Sequence, residues 1–493
     1  MVYTSRMSDE CVPAGIAADD WAGTPVSVRT LVGDLQTTVA QLTQRVAALT
    51  EQVRQTSQNS SQPPSADPPS APPRPQRPPS GRKAGAQPGH VGHTRVLKPA
   101  SEVQHFIDFK PASCAQCGAL LMGDDPQPER RQVTELPPIT PEVTEYRRHA
   151  LVCPVCEHET AAAWPAELPD GSFGPRVQAT VGYLTGRLGV SQRDVEEVMD
   201  SLFHVDVSLG SVAALEQDVS AALAQPVAAA QTYMQAQPAV NADETSWRQG
   251  KARYWVWLAA TPWVAIFLVL ASRGAKSAQQ LLGATSAGIV GSDRWSGYNW
   301  LATLRRQLCW AHLKRDFQAI LERGGADAEV GAALLGQTHQ VFDLWYRVRD
   351  GPLSRAEFQT AIQPIQARVH ALLQEGTTLT QTKTAATCTN ILKLEPALWT
   401  FVTIAGVEPT NNAAERPLRR AVLWRRRSFG TQSASGSEFV ARILTTVTTL
   451  RLQHRNVLDY LTAACAARIQ GTAAPSLLPS QALLAAAASG TPV

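Results

Sequence analysis

The spacing of apolar positions changes several times along the chain, and each change marks a new kind of element. From Val28 to Val53 the period is seven: Val32, Val39, Val46 and Val53 fill position a, and Val28, Leu35, Leu42 and Leu49 fill d. Valine at a with leucine at d predicts a parallel two-stranded coiled coil over residues 26–56. One amphipathic helix packed on its own domain is the plainer alternative. Between residues 174 and 235 the spacing is helical and interrupted by turns. A helix runs from Gly174-Pro175 through Leu188, Ser191 caps a second over Gln192 to Leu202, and Ser208 starts a third. Short helices joined this tightly resemble a helix-turn-helix, or a plain helical connector.

Strand spacing begins at Val240. A short apolar lead carries Asp243 and Glu244, and two apolar runs follow, Tyr254 to Ala260 and Trp263 to Ala271, split by Thr261-Pro262. They predict a first strand and then a β-hairpin. Alternation puts Asn241, Asp243 and Thr245 on one face and Glu244 on the other. Next come a helix over Ser272 to Leu282, a strand over Gly288 to Asp293, a strand over Gln307 to Ala311, and a helix from His312 to Arg323. That order is ribonuclease-H-like. In such a sheet the first and fourth strands are neighbours, so Asp243 and Asp293 meet at one edge. Two close carboxylates that cannot both stay ionised unaided need a cation, and hard oxygen donors suit Mg²⁺ or Mn²⁺. A surface turn is the bland reading of an Asp-Glu pair. His312 can approach this site from its helix start, or serve as a core or capping residue.

Composition narrows the class. Across 493 residues, Lys plus Arg number 45 and Asp plus Glu 42, a net charge of +3. Any affinity for nucleic acid must therefore come from local patches. No apolar signal segment opens the chain, and its longest apolar stretch is too short and too broken for a membrane helix. A cytoplasmic protein is expected. Residues 57–100 hold 11 of the 34 prolines, with Arg74, Arg77, Arg82, Lys83, Arg95 and Lys98 against the single acid Asp67. Such a segment cannot bury a core; it is a basic arm for DNA phosphates or a solvated spacer. Of eight cysteines, four form two tight pairs, Cys114-Ala-Gln-Cys117 and Cys153-Pro-Val-Cys156. Two such pairs predict one structural Zn²⁺ bound by Cys114, Cys117, Cys153 and Cys156 in a reducing compartment.

After Asp293 comes a long helix-rich stretch, residues 313 to about 400, broken near Gly324-Gly325 and Gly351-Pro352. A last helix then opens at Asn411-Asn412 with Glu415 in its first turn, followed by Arg416, Arg419, Arg420 and Arg425-Arg426-Arg427. The residues alone leave two readings: an ion-paired surface helix, or a metal ligand beside arginines that clamp DNA phosphates.

Taken in order, several motifs resemble the insertion-sequence-66 transposases of the DDE superfamily. They are Gly85-Ala-Gln-Pro-Gly-His-Val-Gly-His93, the two cysteine pairs, Asp243-Glu-Thr-Ser-Trp247, Ser292-Asp-Arg-Trp-Ser-Gly-Tyr298, Cys309-Trp-Ala-His312 and Asn411-Asn-Ala-Ala-Glu-Arg416. The resemblance implies catalytic acids at Asp243, Asp293 and Glu415 holding two Mg²⁺ or Mn²⁺ ions, and an all-α insertion between the second and third. Arg82, Lys83, Arg416, Arg419, Arg425, Arg426 and Arg427 would contact DNA. Pro417 departs from good helix chemistry, because it lacks an N–H donor.

The expected chain is multidomain α+β. It comprises a disordered 1–25, the coiled coil, the linker, a zinc module at 101–165 and the helix-turn-helix-like region. A ribonuclease-H-like catalytic domain with its all-α insertion follows at 236–465, then a flexible tail at 466–493. The expected activity is DNA transposition at the element's terminal inverted repeats and into target DNA. It would be carried out by a homodimer or higher oligomer in the bacterial cytosol, at the nucleoid when active, with accessory element-encoded proteins as further partners. The alternative is a DNA-binding regulator with an inactive nuclease fold.

Overall fold

The structure, a computed structural model, describes residues 16–60, 95–165, 168–169, 171–285 and 287–488. Arg82, Lys83 and the Gly85 to His93 motif lie outside them. The chain runs through α1 (Ala18–Ala22), α2 (Val26–Arg54), β1 (Ala150–Val152) and β2 (Glu159–Ala161). Then come α3 (Pro175–Gly182), α4 (Gln192–Phe203), α5 (Leu209–Ala222), α6 (Ala224–Gln235), β3 (Ala239–Gln249), β4 (Ala252–Ala260) and β5 (Ala265–Leu270). After α7 (Ala275–Leu282), β6 (Ile289–Ser292) and β7 (Arg306–Leu308) follow α8 (Trp310–Leu321), α9 (Gly325–Arg349) and α10 (Arg355–Ala361). The last helices are α11 (Gln363–Thr377), α12 (Thr382–Leu392), α13 (Thr400–Thr403), α14 (Asn412–Ser428), α15 (Ala434–Leu452), α16 (Val457–Ile469) and α17 (Gln481–Ala488). Among the described residues no helix is long and apolar enough to cross a membrane.

Two compact units form. The larger takes Ala228–Gln432 with the described parts of residues 1–74 and 477–493, and the smaller takes those of 75–227 with Ser433–Ser476. The larger unit is built on a five-stranded sheet in the order β5-β4-β3-β6-β7. β3, β4 and β5 are antiparallel neighbours, whereas β6 pairs parallel to β3 and β7 parallel to β6. The first and fourth strands are adjacent, as the element order predicts. Strand alternation holds along β3: Val240, Ala242 and Glu244 are buried, while Asn241, Asp243 and Thr245 are half-buried on the other face.

The helical insertion packs through Val330, Leu334, Phe358, Val369, Leu372, Ile391 and Phe401, all buried in one core that also takes in Ile289 of β6 and Leu308 of β7. Gly324 and Gly325, at φ 81° and 57°, make the break before α9. Its far end is pinned to β7. Gln307 donates from Nε2 to the Leu398 carbonyl and accepts the Phe401 N–H, and the Trp310 indole also donates to Leu398. The chain therefore leaves the sheet after β7 and returns beside it.

The strand expected at Gln307 to Ala311 stops at Leu308. Cys309 N–H bonds the Ser292 carbonyl and Trp310 N–H the Pro409 carbonyl, so the ladder ends there and α8 begins two residues earlier than expected. α14 runs unbroken through Pro417. Its buried residues, Ala414, Leu418 and Ala421, keep a helical stripe. Beyond it the backbone turns back onto β3. Gly430 has φ 122°, and a Cβ there would sit 2.2 Å from the Arg248 carbonyl, so only glycine admits the Thr431 N–H to that carbonyl.

In the smaller unit, α3 continues into a π-helical turn, Tyr183–Leu188, and Gly189 ends it at φ 72°. Ser191 and Ser208 cap α4 and α5 through their side chains, as the sequence predicts. These helices share a core of Val181, Val195, Met199, Val212 and Leu215. α15 lies against them: a Cβ on Gly186 would meet Ile443 at 2.1 Å, and Arg442 donates to Ser220. Residues 433–476 therefore belong with the 174–227 helices, not with the sheet as the expected 236–465 domain has it. The reason is α15 itself, whose Phe439, Val440, Ile443, Leu444, Val447 and Leu450 are all buried and need a helical neighbour.

Two expectations of disorder also change. Residues 18–22 are helical with Trp21 buried. The segment after α16 is tied down, since Pro475 and Ser476 carbonyls accept from Tyr460 Oη and Arg455.

Candidate active site

The parallel register pairs Asn241 with Gly291. Two residues on, Asp243 on β3 and Asp293 just past β6 are brought to the same level. Asp243 Oδ1 accepts the Glu244 N–H, and Asp293 Oδ1 accepts the Trp295 N–H at 2.9 Å, which fixes the turn after β6. The third acid comes from the returning chain. Asn411, fully buried, donates its backbone N–H to Cys309 Sγ and its side-chain amide to the Ala242 carbonyl, both at 3.4 Å. One residue thus joins the start of α14 to β3 and to the start of α8. Glu415 follows in the first turn of α14, where the free N–H end of the helix favours an acid.

The three carboxylates feel one another. Burial first, then the charges of Glu244, Asp293 and Glu415, hold the Asp243 carboxyl well above the ordinary carboxylate range. Glu244 has another fate. Facing the opposite side of β3, it accepts from Arg273 at 2.8 Å and from the Tyr298 hydroxyl at 2.7 Å, so its charge is neutralised inside the fold. Arg273 in turn lies over the rings of Trp255 and Trp295, at 5.0 and 4.0 Å from their centroids. Arg306, buried under the turn, donates to the Asp293 carbonyl and to Asn299, and its side of the site is positively charged.

His312 stands two residues into α8 with Nδ1 3.5 Å from Glu415 Oε1. Neither atom has a hydrogen-bond partner, although both are buried. Burial lowers the imidazole pKa, against the opposing pull of Asp293 and Glu415, and so favours its neutral form. The Cys309 thiol lies in the same cluster, within 4.8 Å of both, and burial pushes it up to about 12. The donor set fits a divalent cation. Asp243, Asp293 and Glu415 lie close enough for their charges to act on one another, and one of their oxygens, Glu415 Oε1, is buried with no proton donor.

The arginines separate. Arg425 is built into the fold: its guanidinium donates to Thr245 Oγ1 at 3.1 Å and to Ser246. Helical spacing could have revealed this, because Arg425 continues the buried stripe of Ala414, Leu418 and Ala421. Arg416, Arg419, Arg426 and Arg427 are exposed. A cavity of about 440 Å³ is lined by Trp247, Arg248, Lys251, Arg253, Arg426 and Phe429, among others. Three of these cations flank the β3–β4 turn, which the sequence reading passed over although they cluster around Gly250. Phe429 caps α14 at φ 59° and is 78% exposed.

The cysteines form two turns of the same design. Cys114 N–H bonds the Ala119 carbonyl while Gly118 N–H bonds back to Cys114, and Cys153 does the same with His158 and Glu157. Gly118 and Glu157 sit at φ 75° and 59° to close these turns. Backbone N–H groups, from Cys117 and Gln116 and from Val155 and Cys156, lower the pKa of Cys114 and Cys153, which favours thiolates. The structure gathers each pair; among the described residues the three-donor cluster it gathers is Cys309, His312 and Glu415.

A family model described as "Transposase IS66 family" matches residues 170–438, over half the chain and all three acids. One for the zinc-finger binding domain of transposase IS66 matches 111–157, which includes all four paired cysteines. A family of unknown function matches 21–96. An uncharacterized protein, y4qI, of Sinorhizobium fredii is 28% identical over 193 residues, 36% of this chain and 35% of that protein. The match thus spans about a third of the length of the curated relative.

The raised Asp243 carboxyl generates a prediction. The folded chain binds that proton more tightly than the unfolded chain, so the associated stability is present at low pH and is lost as pH rises through the folded-state pKa. Asp243→Asn removes the buried charge. In buffer freed of divalent cations by resin, without a chelator that would strip zinc, the variant should melt a few degrees above the parent at pH 7.5. The gain should shrink as pH falls below the folded-state pKa. A variant that melts lower than the parent at both ends of that range contradicts the repulsion.

Proposed function

Because the chain belongs to the transposase IS66 family, we propose that it is a DNA transposase that binds the ends of its insertion element and cuts and joins DNA strands. Asp243, Asp293 and Glu415 are its catalytic acids, on a sheet whose strand order supports a ribonuclease-H-like domain. The observation that supports this reading is the mutual influence of carboxylates from β3, the end of β6 and α14, which together with burial holds the Asp243 carboxyl well above its ordinary range. Bound Mg²⁺ or Mn²⁺ would supply that charge and lower the pKa of an attacking water.

The chain's own part is to orient and neutralise. In cleavage, water oxygen bonds to phosphorus and the 3′-oxygen leaves with a proton. In joining, the freed 3′-hydroxyl attacks a target phosphodiester and displaces its 3′-oxygen. Neither step needs a covalent protein–DNA link. Arg416, Arg419, Arg426 and Arg427 present charge to phosphates from the same helix as Glu415, and Arg248, Lys251 and Arg253 extend it. Arg425 supports the site from within by holding α14 to β3. Arg82 and Lys83 remain candidates for phosphate contact. DNA as substrate puts the activity in the bacterial cytosol, at the nucleoid. A regulator that only binds DNA has no need for the acids to meet.

Two further parts serve assembly. The cysteine pairs hold one structural Zn²⁺, which would stabilise a module whose strands β1 and β2 are fully exposed and bury no core of their own. α2 displays the heptad row: Val28, Leu35, Val39, Leu42, Val46, Leu49 and Val53 are all exposed. A second copy covers it as a coiled coil.

Three measurements test these assignments. Strand cleavage and end binding are compared for Glu408→Gln, Glu415→Gln and Glu438→Gln in Mg²⁺. Glu408 is exposed, and Glu438 is paired with Arg442 in the smaller unit. Only Glu415→Gln should lose cleavage, by orders of magnitude, with binding intact; near-normal cleavage by that variant removes Glu415 from the site. Metal analysis should find about one tightly held zinc per chain, lost on Cys114→Ser or Cys153→Ser. Unchanged zinc in both variants refutes the ligand set. A peptide of residues 26–56 should be helical with concentration-dependent melting, abolished by Leu42→Pro. A peptide that stays monomeric at high micromolar concentration refutes the coiled coil.

A further inference from the structure

We propose that His312 is a direct ligand of the divalent cation held by Glu415, which makes one cation position a mixed imidazole–carboxylate site. The proposal rests on the reading of the acids as a cation site and adds a nitrogen donor to it.

Geometry carries the assignment. His312 Nδ1 and Glu415 Oε1 are 3.5 Å apart, too far for a hydrogen bond of ordinary strength, and both are buried without a partner. Two orphaned polar atoms facing each other are costly unless something joins them. A water about 2.8 Å from both would be held at a sharp angle. A first-row cation contacts nitrogen and oxygen donors at about 2.1 Å, so two ligands of one ion stand roughly 3 to 3.5 Å apart. The observed spacing is of that size.

The surroundings keep the imidazole there. The buried face of α8 is Trp310, Leu313, Phe317 and Ile320, and His312 projects off that stripe. The start of α8 is fixed by the Cys309 and Trp310 N–H bonds to Ser292 and Pro409. Cys309 shares the cluster, but its sulfur already accepts the Asn411 N–H, so it positions α14 and the ligands are His312 and Glu415. Another buried oxygen of the returning chain, Asn411 Oδ1, is also without a partner. A nitrogen donor shifts preference from Mg²⁺ toward Mn²⁺ and later first-row ions.

The test uses the full, zinc-loaded chain with Mn²⁺ as the probe, read by electron spin-echo envelope modulation. Wild type should show modulation from a coordinated ¹⁴N, and growth on ¹⁵N-histidine should remove it without any mutation. His312→Gln should lose the ¹⁴N modulation while still binding Mn²⁺, at least about tenfold more weakly, the scale on which losing even a ligand's supporting partner acts. His312→Asn gives a second variant should the first fail to fold, and Glu408→Gln should match wild type. Bound Mn²⁺ that shows no nitrogen coupling, or coupling that persists in both His312 variants, overturns the proposal and leaves the acid site standing. Absence of Mn²⁺ binding at millimolar concentration overturns the acid site and this proposal together.

Discussion

Like charges in a buried pocket repel, and much of the larger unit is arranged to hold them together regardless. Asp243, Asp293 and Glu415 come from three separate segments, and none could be kept in place by its own strand or helix alone. The parallel β3–β6 ladder fixes the first two, and Asn411 fixes the third by bonding Ala242 and Cys309 at once. Gln307 and Trp310 hold the end of the insertion, so the chain must come back at that point. At the other end of α14, Arg425 and the Gly430–Thr431 turn clasp β3. A helix fastened at both ends cannot rotate its first-turn glutamate away from the repulsion.

Asp243 and Glu244 show how one residue's shift along a strand decides chemistry. They are sequence neighbours of similar charge, and the pleat sends them to opposite faces. On one face Arg273 and Tyr298 await Glu244, and its charge becomes part of the packing. On the other face the Asp243 carboxylate accepts a backbone N–H and feels the charges of Asp293 and Glu415. An ion pair compensates the charge of the first, whereas burial and neighbouring acids raise the carboxyl of the second.

Local patterns were legible and long-range choices were not. The heptad helix, the capped helices after Ser191 and Ser208 and the strands β3 to β5 all follow from period, capping and side-chain type. The extent of β7 did not, because Cys309, Trp310 and Ala311 are as compatible with a strand as with a helix start; two hydrogen bonds to distant carbonyls decide it. Nor did the placement of α15. An apolar helix declares that it must be covered, and its sequence does not say by what. Its partner lies more than two hundred residues earlier, met through the fit of Ile443 against Gly186 and the bond from Arg442 to Ser220. The arginine run misled in another way. Charge alone assigns Arg425 to DNA, whereas the stripe of Ala414, Leu418 and Ala421 assigns it to β3.

This division of the arginines bears on how a chain of nearly neutral charge can hold DNA. A net charge of +3 over 493 residues gives little long-range attraction, so each phosphate contact must be made by a cation held at the right place. Arg425, half-buried, ties α14 to Ser246 and lines the same cavity as Arg426 and Phe429. Arg248 on β3, with Lys251 and Arg253 beside it, stands across that same cavity. The acids make the neighbouring pocket favourable for cations, and the exposed arginines make the surface around it favourable for phosphates. The two groups, of opposite sign, sit at the two ends of α14. On the proposed function, cations bound at the acids would offset the carboxylates and ease the approach of a phosphate backbone, which would couple substrate binding to metal binding without any moving part.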